Sequence, residues 1–218
     1  MHKLDHETYL RLREGARVLE ADGYGDKVLH LVDGTFMKLF RRKRWFSSAL
    51  LFPYAERFAR NAGQLDRRHI PCPEVIDVYR VPAIMRDVVH YRPLAGRTLR
   101  ELLHDAIPGA LQRELGAFVA GLHERGIYFR SLHLGNIVRT PDGALGLIDI
   151  ADMRVQKRPL TLNQRLRNLR HLMRYESERK WLLDDESNTF ISSYLAGSKL
   201  EIPPQQLKNR IDSQGISK

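Results

Sequence analysis

Apolar residues in the first third of the chain come in short runs broken by Gly, Asp and Pro, the rhythm of strands and turns. Residues 18–21 read as a strand, and Asp22-Gly23-Tyr24-Gly25-Asp26 after them is turn chemistry, because Gly tolerates positive φ. Residues 27–32 form the returning strand, and Asp33-Gly34 is a hairpin signal leading into a third strand at 35–40. Alternation along that third strand puts Phe36, Lys38 and Phe40 on one face and Met37 and Leu39 on the other. A helical rhythm then runs over 54–65 and is stopped by Ile70-Pro71-Cys72-Pro73.

Beyond residue 92 the period becomes mainly helical. Thr98 caps a helix running through His104, with Glu101 at the capping-box spacing. Leu111, Leu115, Phe118, Val119 and Leu122 make a helical stripe over 111–125 that ends at Gly126. Ile137-Val138-Arg139, the turn Thr140-Pro141-Asp142-Gly143 and Leu145-Gly146-Leu147-Ile148-Asp149 read as a hairpin. Residues 162–175 predict a basic amphipathic helix, with Leu162, Leu166, Leu169, Leu172 and Met173 inward and the arginines mostly outward. The tail from Pro203 is expected to be loose. The pattern is α+β: a small antiparallel sheet lobe with one helix over 1–92 and a mainly helical lobe over 93–218, together one bilobal unit.

Composition narrows the class. With 43% hydrophobic and 28% charged residues in 218, the chain is globular and long enough to bury a core. Its longest apolar stretches, such as Ala49-Leu50-Leu51-Phe52, fall far short of the roughly 20 residues that span a bilayer. The opening MHKLDHETYL has no apolar h-region, so no secretory signal is expected. Cys72 is the only cysteine, which excludes an intramolecular disulfide and a cysteine zinc site and makes a cytoplasmic location the default. A net charge of +10 favours polyanions: nucleic acid, an anionic membrane face or a phosphorylated substrate. Against nucleic acid, the chain shows neither a helix-turn-helix nor a stacking-platform pattern.

Several residues carry candidate chemistry. Lys38 sits centrally in an apolar strand, where an unpaired ammonium is costly. Gly23 and Gly25, in the turn before it, offer backbone N–H groups of the kind that cradle phosphates. Asn136 and Asp149 lie thirteen positions apart, at the start of one hairpin strand and the end of the next, where an amide oxygen and a carboxylate converge as hard ligands suited to Mg²⁺.

The order of these features resembles the protein-kinase-like fold, in which the catalytic loop reads H-x-D-L-x-x-x-N and a hairpin leads to a D-F-G-type Asp. The resemblance implies ATP and Mg²⁺ as cofactors and Asn136 and Asp149 as metal ligands. It also implies contact of Lys38 with the α/β-phosphates and its pairing with a helical carboxylate, for which Glu56 stands at a fitting distance. Tyr91-Arg92-Pro93-Leu94-Ala95-Gly96-Arg97-Thr98-Leu99 resembles the link between lobes.

More narrowly, the chain is similar over roughly residues 18 to 180 to the bacterial lipopolysaccharide core heptose kinases and their toluene-tolerance relatives. Phe36-Met37-Lys38-Leu39-Phe40, Glu56 with Gly63 and Ile70-Pro71-Cys72-Pro73, Gly96-Arg97-Thr98-Leu99, Gly135-Asn136-Ile137 and residues 164–172 carry that likeness. It implies an ATP-dependent phosphotransferase acting on a sugar of the lipopolysaccharide core, or a related anionic envelope glycolipid, at the inner membrane. No room exists between Asp149 and the helix at 162 for a long activation segment, which favours a non-protein substrate.

The chain departs from the kinase pattern where the proton must go. Aligning Asn136 on the motif places Ser131 at the catalytic Asp and Phe129 at the motif His, and Asp149-Ile150-Ala151 replaces D-F-G. A serine hydroxyl, neutral at pH 7, cannot serve as the base. His133, two residues on, and Asp152, one turn past the metal ligand, are the alternative carriers of that role. The rival expectation is a pseudokinase that binds nucleotide and acts as a regulatory or scaffolding partner in envelope assembly. Finally, Arg41-Arg42-Lys43-Arg44 followed by Trp45-Phe46 suits the anionic surface of the inner membrane, at about 1 kcal/mol per charge. A solvated loop with packed aromatics is the plainer reading of the same residues.

Overall fold

A computed structural model describes residues 1–42, 53–103, 110–184 and 186–212. The chain forms two compact units, Met1–Leu94 with Asp149–Asp152, and Ala95–Ile148 with Met153–Lys218. The fold class is α+β.

The first unit is built on a six-stranded sheet: β1 (His2–Lys3), β2 (Arg17–Asp22), β3 (Gly25–His30), β4 (Phe36–Arg41), β5 (Glu74–Val81) and β6 (Arg86–Arg92), in the spatial order β1-β5-β6-β4-β3-β2. The sheet is mixed, because β1 pairs parallel with β5 through His2↔Tyr79 and Lys3↔Arg80. The expected all-antiparallel lobe is therefore corrected at its edge. Leu4 explains the edge: its N–H bonds the Arg80 carbonyl at 2.9 Å while its side chain enters the core, drawing the preceding residues alongside β5. Alternation on β4 behaves as read from the sequence. Met37 and Leu39 are buried with Leu29 and Val88 against Tyr9 and Leu12 of α1 (His6–Arg13), a helix that the hydrophobic pattern did not announce. Phe36, Lys38 and Phe40 face the other way. There the rings of Phe58 and Tyr54, on α2 (Tyr54–Asp66), lie 5.2 Å from Tyr91 and 6.0 Å from Phe40.

The second unit is mainly helical, with α3 (Leu99–Leu103), α4 (Ala110–Glu124), α5 (Leu162–Leu172), α6 (Glu176–Leu183), α7 (Thr189–Ala196) and α8 (Pro204–Asp212). Short strands accompany them: β7 (Arg97–Thr98), β9 (Ile137–Arg139) and β10 (Leu145–Leu147) in one sheet, and β8 (Ile127–Phe129) with β11 (Met153–Val155) in another. Thr98 and Glu101 make the reciprocal capping bonds, Glu101 Oε2 accepting from the Thr98 N–H at 2.7 Å and Thr98 Oγ1 from the Glu101 N–H at 3.2 Å. His104, the expected end of that helix, lies outside the described residues. Two expectations are corrected. The tail from Pro203 is not loose: Leu207 and Ile211 of α8 are buried, and Arg170 donates to the carbonyls of Ile211 and Arg210 at 3.1 and 2.6 Å. In α5, Arg165 points inward, its side chain only 3% exposed and paired with Glu124 at 2.9 Å. Among the described residues no helix is long and apolar enough to cross a membrane.

Candidate functional site

Lys38 meets a carboxylate, as a half-buried ammonium must, and the carboxylate comes from 111 positions downstream. Its Nζ donates to Asp149 Oδ1 at 2.6 Å, with side-chain exposures of 18% for the lysine and 46% for the aspartate. Two features hold Asp149 there. The segment Asp149–Asp152 belongs to the first unit, and its 3-10 turn Ile150–Asp152 packs on α2, where Asn61 Nδ2 donates to the Ile150 carbonyl at 2.7 Å. Asp149 itself is left-handed, with φ +53. That conformation costs a non-glycine residue on the order of 1–3 kcal/mol and concentrates at functional positions. Tyr91 lies on the α2 side of the sheet, and its phenol is pushed above its ordinary range by burial and then by the Asp149 charge.

Glu56 is elsewhere. Its carboxylate lies 4.0 Å from the Met1 amino group, so the partner of Lys38 is Asp149 rather than the expected helical glutamate. Gly23 and Gly25 flank Tyr24 in the β2–β3 turn, and Gly25 takes φ +111. The turn is latched to the ends of β4 and β6: the Arg41 guanidinium carbon lies 3.7 Å from the centroid of the Tyr24 ring, and Arg86 Nη2 donates to the Tyr24 carbonyl. Asp152 closes its 3-10 turn, half-buried. Of the basic-aromatic segment, Arg41 and Arg42 are described, and Lys43, Arg44, Trp45 and Phe46 lie outside the described residues.

In the second unit, β8 leads into the loop that carries Ser131, His133 and Asn136. Asn136 is buried, and its Nδ2 donates to the Ser131 carbonyl at 2.9 Å, which leaves Oδ1 as the atom suited to a cation. The hairpin closes as the Ile148 N–H donates to the Asn136 carbonyl at 3.0 Å, one residue before Asp149. His133 Nδ1 lies 3.4 Å from Arg100 Nη2. A guanidinium only donates, so Nδ1 accepts and the imidazole proton sits on Nε2. That arrangement occupies the accepting nitrogen of the ring.

Sequence reasoning missed the residues that hold this loop. Glu178, 3% exposed, accepts from Arg100 Nε at 2.6 Å through one oxygen and from the Leu134 N–H at 3.5 Å through the other. Asn168, fully buried, accepts from the Phe129 N–H at 3.3 Å and donates to the Phe129 carbonyl at 2.5 Å. It also lies 3.2 Å from His123 Nε2, while His123 Nδ1 reaches the Tyr194 hydroxyl at 2.8 Å. Burial lowers the His123 pKa to about 3, with the Arg165 charge adding to the shift. A signal for Asn168 was present: with Arg165 it falls on the helical face of Leu169 and Leu172, where a polar residue needs a buried partner.

Each unit offers one hard oxygen ligand, Asp149 in the first and Asn136 in the second, and among the described residues no three His, Cys, Asp or Glu side chains gather as a metal cluster. A carboxylate such as Asp149 is a ligand type that suits Mg²⁺, which takes one or two protein oxygens and completes its shell with phosphates and water. No family model matches this chain, and no curated protein matches it.

Proposed function

We propose that the chain is a kinase-like phosphotransferase that uses Mg²⁺–ATP to phosphorylate a sugar hydroxyl of the lipopolysaccharide core or a related envelope glycolipid, its two units serving as the two lobes of such an enzyme. The observation that carries this reading is the pair Lys38–Asp149, a strand lysine met at 2.6 Å by a left-handed aspartate that directly follows a hairpin. In this reading Lys38 binds the α/β-phosphates, Asp149 and Asn136 hold the metal, and the latched Gly23–Gly25 turn presents N–H groups to phosphate. The acceptor oxygen forms the new P–O bond, the bond from the γ-phosphorus to the bridging oxygen breaks, and the hydroxyl proton leaves to a base. Asp152 is the better candidate for that base, because the Nδ1 of His133 is engaged by Arg100. Cytoplasmic placement, with Arg41 and Arg42 opening a contact with the anionic inner-membrane surface, completes the proposal.

A second reading is favoured by the same loop. Ser131 supplies no carboxylate, so a pseudokinase that binds nucleotide without transferring phosphate also suits these residues. Phosphate transfer from ATP to purified lipid A–core, with Asp149→Ala as control, separates the two. Transfer that the variant loses supports the enzyme. Binding of Mg²⁺–ATP without transfer supports the pseudokinase, and no binding at millimolar Mg²⁺–ATP sinks both.

A further inference from the structure

Around the loop of the second unit the arginines outnumber the carboxylates that serve them. Arg100 is held from three sides: Glu178 at Nε, His133 at Nη2, and the Tyr175 ring 4.3 Å from its guanidinium carbon. Gly135 leaves room for it, since a Cβ there would stand 3.0 Å from Arg100 Nη1 and 3.1 Å from its guanidinium carbon. The guanidinium is thus fixed in a built cradle while the side chain remains 37% exposed. A second guanidinium, that of Arg174, lies 5.2 Å from the centroid of the same Tyr175 ring. Arg174 is exposed and makes no ion pair among the described residues. Of the neighbouring carboxylates, Glu178 pairs with Arg100 and the Leu134 N–H, and Glu176 with Lys180 at 2.8 Å, so neither serves Arg174.

We infer that Arg100, Arg174 and Tyr175 form a binding site for a phosphomonoester group. Two guanidiniums beside one ring match a group that carries about −1.5 to −2 charges and three acceptor oxygens. A monoanionic carboxylate would use only one fork. Arg130, exposed in the same loop, adds a further cation. The position that supplies a carboxylate in a kinase loop is here a serine, neutral at pH 7, with exposed Arg130 next to it in the chain. The site needs no nucleotide, so it stands or falls apart from phosphoryl transfer.

The test is a titration of the full chain with glucose 6-phosphate at constant ionic strength, without ATP, following the arginine Nε–H and Tyr175 ring signals by NMR. Glucose is the control, and phosphatidic acid vesicles form a second arm that presents the same group at a lipid surface. Saturable shifts of Arg100, Arg174 and Tyr175 are expected, absent with glucose and weakened about tenfold by Arg174→Gln. Because Arg100→Gln alone strips buried Glu178 of its cation, the second variant is Arg100→Gln with Glu178→Gln. A response confined to the vesicles and lost in both variants supports the same chemistry on a lipid headgroup. Response in neither arm, or equal affinity in wild type and both variants, overturns the site.

Discussion

The segment around Asp149 and the loop around Ser131 are treated in opposite ways by the fold. In the first unit a carboxylate is brought to a half-buried lysine and held there by a strained backbone. In the second, a loop expected to carry a carboxylate carries a serine, and the Glu178 carboxylate beside it is spent on Arg100 and a backbone N–H. In the proposed reading the Lys38–Asp149 pair would serve phosphates and metal. The Ser131 loop, by the inference above, would hold an anion in place. If both belong to one phosphotransferase, the nucleotide side has kept its charges while the acceptor side has exchanged a base for cations.

The largest expected effect breaks the first half of that comparison. Mg²⁺–ATP should raise the melting temperature by mass action, and Asp149→Ala should abolish the Mg²⁺-dependent part. Lys38→Ala should weaken binding in both the presence and absence of Mg²⁺. A wild-type melting temperature unmoved by millimolar Mg²⁺–ATP removes the phosphate-and-metal role from the pair.

The second half is broken at Asn168. Asn168→Leu leaves the Phe129 N–H and carbonyl and His123 Nε2 without their buried partner. At about 1–3 kcal/mol for each unsatisfied group, the expected loss is roughly 3 kcal/mol or more. Urea unfolding checks it, and a loss below about 1 kcal/mol would mean that the loop's entry is held by something other than Asn168.

How far these two regions could be read from the sequence differs for physical reasons. Alternation made β4 and its buried face legible, because a strand half-covered by helix must bury every second residue. The hairpin at 137–147 was legible from its Thr-Pro-Asp-Gly turn. The partner of Lys38 was misassigned, since pairing with Glu56 rested on helix order and the true partner lies 111 positions away, a separation no local pattern encodes. Nor was the return of Asp149–Asp152 to the first unit visible, because it depends on Asn61 reaching the Ile150 carbonyl. The strands β5 and β6 went unread although Val75, Val78, Tyr79 and Val81 carry β-forming side chains. The prolines before them suggested only a helix stop.

The comparison sharpens if the proton acceptor is located. Asp152→Asn should cut kcat for transfer to lipid A–core by about 10²-fold with ATP affinity nearly intact. His133→Ala should cost less than about tenfold, because its Nδ1 already accepts from Arg100. Ser131→Asp, which restores a carboxylate five residues before Asn136, should raise transfer. A 10²-fold loss in His133→Ala would reverse these assignments.

A smaller effect concerns acid stability of the second unit. The folded-state pKa of His123 is lowered to about 3 from an ordinary 6.5 by burial, with Arg165 adding to it and Glu124 and Asn168 opposing. Below pH 6.5 the unfolded chain takes up a proton that the folded chain refuses, so stability falls as pH drops toward 3. The expected slope from this group is at most about 1.4 kcal/mol per pH unit. Urea midpoints measured between pH 7 and 4 should decline less steeply in His123→Gln than in wild type. Parallel slopes would show that His123 is not kept neutral by its surroundings.

The smallest expected effect tests the pairing on which the first region was read. If Glu56 served Lys38, removing its charge would free the lysine and weaken nucleotide binding markedly. In the structure the Glu56 carboxylate lies 4.0 Å from the Met1 amino group, with its side chain 44% exposed, while Lys38 is already engaged by Asp149. An exposed ion pair of this kind contributes about 0–1 kcal/mol. Glu56→Gln should therefore leave the affinity for Mg²⁺–ATP within about twofold of wild type and shift the melting temperature little. A tenfold loss of affinity would mean that Lys38 exchanges Asp149 for Glu56 when nucleotide binds. Asp149 would then be released to the metal, and the two carboxylates would share one lysine in turn rather than one of them owning it.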